Sequence, residues 1–121
     1  MKRMISNREL VENAAALKSI YQKQFPVEIA YAIYKNTSKL DRALSALRKE
    51  KDKLLEHYHG TETDNVVNFE DKRNVPKWCE GIDALLNTKN EFRMVIFKLQ
   101  DLGGVTFSGA EMAAIDCMIE K

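Results

Sequence analysis

Between Pro26 and Gly60 the chain contains neither glycine nor proline, and apolar residues recur at Ala30, Ile33, Leu40, Leu44, Leu47, Leu54 and Tyr58. Steps of three, four and seven are those of a helix with a heptad seam, and Thr37 and Lys51 are its two polar interruptions. Pro26 suits a first helical turn, where its missing N–H has no partner to lose, and Gly60 suits a left-handed stop just past the end. A helix over residues 26–59, at 1.5 Å rise per residue, would be about 50 Å long. One short neighbour cannot cover that length. The other elements must pack along it in succession, or a second chain must.

The flanking segments supply those elements. Ser6 with Glu9 forms a capping box, and Ile5 and Leu10 form the staple around it, which predicts a helix from Asn7 to Gln22. Its apolar stripe is Leu10, Ala14 and Leu17, with Val11, Ile20 and Tyr21 beside it. The short break at Gln24-Phe25-Pro26 makes this helix an antiparallel neighbour of the long one, able to cover Ile29 to Leu47. Residues 60–73 are polar and turn-rich, with one short strand expected at residues 65–69. A third helix, Pro76 to Asn87 with Asn74 as its cap, presents Trp78, Ile82, Leu85 and Leu86 and is the candidate to cover the distal half. Gly81 weakens it by about 1 kcal/mol. Glu91–Leu99 is the strongest strand signal, apolar on both faces, and its partner is one of Met4–Ile5, Val66–Phe69 or Val105–Phe107. After a turn at Gly103-Gly104, the cap grammar repeats with Phe107, Ser108, Glu111 and Met112. It opens a closing helix, Gly109 to Glu120, that buries Met112, Ile115, Cys117 or Ala114, Met118 and Ile119. The expected fold is mainly α (α+β): one domain over residues 1–121, a long central helix packed by three shorter ones, and a small two- or three-stranded β element.

Composition narrows the function classes. With 45% hydrophobic and 31% charged residues the chain reads as an ordinary globular domain, and no run approaches the roughly 18 apolar residues of a membrane span. No secretory signal opens the chain, because no apolar core follows the charges of Met1-Lys2-Arg3-Met4-Ile5. Cys79 and Cys117 have no metal spacing and read as reduced, buried, cytoplasmic thiols. His57 and His59 lie two apart at the end of the long helix, pointing to different sides, and read as cations favoured by the helix dipole rather than as metal ligands. No nucleophile–base set and no phosphate loop is present, so the chain reads as non-enzymatic, with no catalytic residue, metal or cofactor.

Charge is distributed unevenly beneath the net +1. Residues 1–56 hold twelve Lys/Arg against seven Asp/Glu, whereas residues 57–121 hold seven against eleven. Packing of one half on the other is the plain explanation, and a basic face for an anionic partner is the functional one. On the long helix, opposite the seam, Lys35, Lys39, Arg42, Lys49 and Lys53 form a stripe about five turns long. Two of its pairs are like-charged at i,i+4, which a helix selected for stability alone avoids. Tyr31 and Tyr34 stand at its start, able to stack on a ring or to cover the core edge. A solvated face explains the stripe, as does contact with phosphates or with an acidic protein surface. Thr37 and Lys51 in turn suit a register-setting pair in a homodimer through the long helix, or Lys51 snorkels past the end of the first helix.

Three segments carry a resemblance: ISNRELVENAAALKSI, AYAIYKNTSKLDRALSALRKEKDKLLE and FKLQDLGGVTFSGAEMAAIDCMIE. With their capped helices, the "YKN" opening the charged helix and the "L-x-G-V" before the final cap, they resemble an uncharacterised family of small helical proteins (a domain of unknown function). That family is encoded by phages and prophages of Gram-positive bacteria. The resemblance implies a setting, the cytoplasm of an infected or lysogenic host, and an accessory rather than catalytic role. The expected function is a non-catalytic binding protein acting on a host or phage macromolecule, foremost a protein, as an inhibitor of a host process or defence system. The alternatives are an oligomeric sponge for a small phosphorylated or nucleotide ligand and a nucleic-acid-binding accessory protein, the latter disfavoured by the near-neutral charge. No membrane partner is expected.

Overall fold

The computed structural model describes residues 2–64 and 66–120. The elements run β1 (Lys2–Ser6), α1 (Asn7–Tyr21), α2 (Val27–His57), β2 (Gly60–Thr63), β3 (Val66–Phe69), α3 (Asn74–Asn87), β4 (Lys89–Arg93) and α4 (Gly109–Ile115), with 3₁₀ turns at Leu99–Leu102 and Asp116–Met118. The fold is mainly helical, and its β element is two separate antiparallel pairs, β1 with β4 and β2 with β3.

α2 is the axis. Its proximal half buries Ile29, Ala32, Ile33, Asn36, Thr37 and Leu40, but beyond Leu40 only Leu47 is buried. Ala30, expected on the seam, is exposed. The main core gathers around the proximal half: Leu10, Leu17 and Ile20 of α1, Ile5 and Phe92 of the first strand pair, and Met94, Phe97, Leu102, Ala114, Ile115, Met118 and Ile119 from the C-terminal segment. α1 touches α2, α3 and α4, and α3 lies along α2. Val11 and Tyr21, flanking the α1 stripe, face solvent.

Both interruptions of the seam are satisfied within the chain. The Thr37 hydroxyl lies 2.8 Å from the Ile33 carbonyl and 3.1 Å from that of Tyr34, on its own helix. Lys51 reaches Glu62 of β2 at 3.3 Å. Neither shape requires a second chain to pair a buried polar group.

The expected strand Glu91–Leu99 is divided among three partners. Residues 89–93 pair with β1, Lys2 opposite Arg93 and Ser6 opposite Lys89. At Val95 the partner is a side chain: Asn36, fully buried, donates from Nδ2 to the Val95 carbonyl at 2.9 Å and accepts the Val95 N–H at 2.8 Å. The amide of Asn36 thus serves as one residue of a neighbouring strand. At Phe97 the partner is the chain's end, with Phe97 N–H donating to Met118 O at 3.0 Å and Glu120 N–H donating to Phe97 O at 2.8 Å. That last pairing explains why the closing helix stops at Ile115 and tightens into a 3₁₀ turn rather than continuing to Glu120. Its backbone is drawn into a parallel bridge between Phe97 and Ile119. Val105–Phe107 forms no strand.

Caps also shift. Ser108 and Glu111 form the complete capping box, whereas at α1 the Ser6 hydroxyl accepts from Glu9 N–H and meets the Glu9 carboxylate itself at 3.3 Å. α3 begins at Asn74, and no side chain caps it. Asn74 instead donates from Nδ2 to the Tyr58 carbonyl at 3.1 Å, closing the C-terminus of α2. The left-handed residue there is His59, with φ +55°, not Gly60. Gly60 is needed for close approach: a Cβ on it would fall 2.6 Å from Leu55 Cδ1 and nearer still to the Phe69 ring.

Candidate partner-binding face

The side of α2 away from the core is open to solvent along its length. Tyr31 and Tyr34 are 59% and 51% exposed, so they belong to the surface rather than to the core edge. Lys35 lies with Nζ 4.7 Å from the centroid of the Tyr31 ring, a cation–π contact. Lys39 turns aside, half-buried, and its ammonium donates to the Arg93 carbonyl at the end of β4. Lys53 pairs with Glu50 at 3.1 Å, both side chains largely exposed. Arg42 and Lys49 are exposed and make no hydrogen bond or ion pair with any described residue. The structure therefore separates the five cations of the stripe. Three already have contacts, and two, about 10 Å apart along the helix, face solvent alone.

Beside this face lies the least covered part of the seam. Leu44, Leu47, Arg48 and Lys51 of α2, Val11 and Ala14 of α1, and Trp78, Ile82, Leu85 and Leu86 of α3 enclose a groove of about 350 Å³. The groove lies between α1 and α3 over α2, and the start of α1 meets the end of α3. Asn7 fixes the junction: it is buried, donates from Nδ2 to the Leu85 carbonyl at 2.8 Å, and accepts from Asn90 Nδ2 at 2.8 Å. Arg8 adds an ion pair to Asp83 at 3.2 Å. Of α3 only Trp78 is buried; Ile82, Leu85 and Leu86 remain half-exposed, as does Leu44 of α2. The two charged residues of the lining are both cations. Lys51 is engaged by Glu62, and Arg48 has no ionic or hydrogen-bonding partner among the described residues.

No family model matches the chain, and no curated protein or solved structure matches it.

Among the described residues no group of three or more His, Cys, Asp or Glu is placed to hold a metal ion, and no helix is long and apolar enough to cross a membrane. His57 packs edge-on against Tyr58, ring centroids 4.8 Å apart. Both cysteines are free. Cys117 is half-buried, its thiol pushed up by burial, which suits an inert packing residue. Cys79 is exposed, contrary to the expected burial, because its neighbour Trp78 takes the inward position on α3. A smaller hollow of about 230 Å³ between β1, α1 and the C-terminal segment has Arg3 at its rim. That guanidinium is engaged by the Cys117 carbonyl at 3.2 Å and the Ile119 carbonyl at 3.4 Å, tying the two ends of the chain together.

The five-cation stripe lies on the solvent side of α2, and the groove lies beside it along the seam. Arg48 lies next to Leu47 and four residues after Leu44, a position flanking the seam. Its spacing marks it as a rim residue, but only the placement of α1 and α3 shows that the rim surrounds an opening. Asn36 sits three residues from Ile33 and four from Leu40, so helical spacing alone places it on the buried face.

Proposed function

We propose that the chain is a non-catalytic binding protein that engages another protein through the distal half of α2, using the groove between α1, α2 and α3 together with the adjoining basic face. The observation that carries this reading is the incomplete cover of the distal seam. Past Leu40 a single α2 residue is buried, and apolar side chains of three helices line one groove with an unpaired arginine at its rim. Contiguous apolar surface rimmed by charge is what a protein interface presents. In the setting implied by the family resemblance, the partner is a host or phage protein and binding inhibits it. A nucleic acid or a phosphorylated small molecule would draw on the stripe, where three of the five cations already have contacts.

The test compares capture from host lysate by the wild-type chain with capture by Arg42→Glu/Lys49→Glu and by Arg48→Glu. A protein retained by the wild type and lost with either variant supports the reading. Equal capture by all three, or none by any, overturns it.

A further inference from the structure

Resting on that reading, we infer that the groove between α1, α2 and α3 receives an amphipathic helix of the partner, one whose apolar face is flanked by acidic residues. Three properties of the groove select this occupant. First, its walls are helix side chains from Val11 and Ala14, from Leu44 and Leu47, and from Ile82 and Leu86. Helices keep their own backbone groups paired, so these walls offer no free ladder of N–H and C=O groups. An extended segment docked here would leave its backbone without partners, whereas a helix brings its hydrogen bonds with it. Second, three helices around one apolar groove lack the fourth that would complete a bundle, and a helix with apolar residues at i, i+3, i+4 and i+7 supplies that stripe.

Third, the charge is one-sided. The lining contains no carboxylate, and of its two cations Lys51 is held by Glu62 while Arg48 is unpaired; Lys49 stands unpaired on the next face of the same helix. A second copy of the chain related by a two-fold axis would set this patch, whose lining charges are all cations, against an identical one. An acidic flank on a foreign helix meets the same cations favourably and excludes basic helices.

Trp78 makes the inference directly measurable. It is the only tryptophan in the chain and it lines the groove. The experiment titrates the full chain with a synthetic helical peptide of about 15 residues bearing leucines at i, i+3, i+4 and i+7 and glutamates on both flanks, following Trp78 fluorescence. Two control peptides accompany it, one with lysines replacing the glutamates and one with the leucines moved off helical spacing. The expected result is a saturable shift with the acidic peptide, binding at least about tenfold weaker for the lysine peptide, and a loss of about tenfold on Arg48→Glu. Arg48 is exposed, so circular dichroism should show that variant folded as the wild type is. Leu44→Glu provides a second, independent block of the groove.

Equal binding of the acidic and lysine peptides, no response to any peptide, or full binding by folded Arg48→Glu overturns the inference. So does a Trp78 shift with decanoate and none with the acidic peptide, which would make the groove a site for a small amphiphile. A protein concentration-dependent doubling of solution mass that Leu44→Glu abolishes would make the occupant a second copy. Failure of the peptides while lysate capture still depends on Arg48 would remove the helix and leave protein binding standing. Failure of both would remove the proposed function as well.

Discussion

The two halves of α2 are built on the same heptad grammar and are covered very differently. Around the proximal half, α1, the β1–β4 pair, the segment after β4 and the C-terminal turn converge, and six α2 residues between Ile29 and Leu40 are buried. Around the distal half stand α3, the β2–β3 hairpin and one edge of α1, and Leu47 is the single buried residue of α2 there. Phe69 and Trp78, with rings 5.6 Å apart, anchor a small second cluster. A continuous seam thus does not specify continuous cover. The proximal half holds the fold together, and the distal half retains apolar surface that a partner can use.

Substitutions separate the two halves most sharply. Leu40→Ala, in the proximal core at 2% exposure, should cost about 3 kcal/mol, while Leu44→Ala, half-buried at the groove, should cost about 1 kcal/mol. Urea titration of both measures the difference, and equal losses would break the comparison. Asn36→Leu follows. It fills the same position on α2 but leaves the Val95 N–H and carbonyl without their partner, for an expected loss of about 2 kcal/mol. A neutral result would show that solvent replaces the amide.

The next two effects lie in the distal half and have opposite signs. Gly60→Ala forces the Phe69 ring and Leu55 apart and should destabilise by about 1 to 2 kcal/mol. Gly81→Ala places its methyl 3.5 Å from the Leu54 side chain, an ordinary contact, and should stabilise by up to about 1 kcal/mol through helix propensity. Thermal melts decide both, and a destabilising Gly81→Ala would show α3 packed more tightly on α2 than its distances indicate.

The smallest expected effect is a pH dependence, and it belongs to the proximal half. Glu111 accepts the Ser108 N–H at 2.9 Å and the Ser19 hydroxyl at 2.9 Å, and lies 3.4 Å from the Lys23 ammonium. The Ser108 N–H above all, then the Ser19 and Ser108 hydroxyls and Lys23, hold its carboxyl below the usual range against the opposing effect of burial. Because the folded state lowers this pKa, the stabilisation is complete above the unfolded value, about 4.3, and declines as pH falls through the folded one. The melting temperature of the wild type should therefore fall more steeply below about pH 5 than that of Glu111→Gln. Parallel curves would assign the acid sensitivity to other carboxylates.

Much of this was readable along the chain because the signals are local. The span of the long helix follows from periodicity and the absence of breakers, and the starts of α1 and α4 from Ser6 and Ser108 with a glutamate three residues on; of the expected buried face of α3 only Trp78 is buried, with Ile82, Leu85 and Leu86 left half-exposed at the groove. Met4–Ile5 was one of three possible partners for the strand after α3, and nothing short of the fold could choose among them. The basic stripe was also readable, as a row of residue types. Which of its cations are free was not, since Lys39 is drawn to the Arg93 carbonyl by a contact 54 residues away in sequence.

The sequence by itself determined where helices begin, how long the axis is and which of its faces is apolar, since each depends on residues within a turn or two of one another. Only the tertiary structure decided how far each element runs and what covers it. β4 ends at Arg93 because Asn36 and the chain's end take over as partners, α4 stops at Ile115 because Ile119 bridges Phe97, and Gly60 is required by a ring nine residues on. The groove beside Arg48 is of the same kind. It is a space bounded by α1, α2 and α3 together, and a space among three helices is a property of no single helix's sequence.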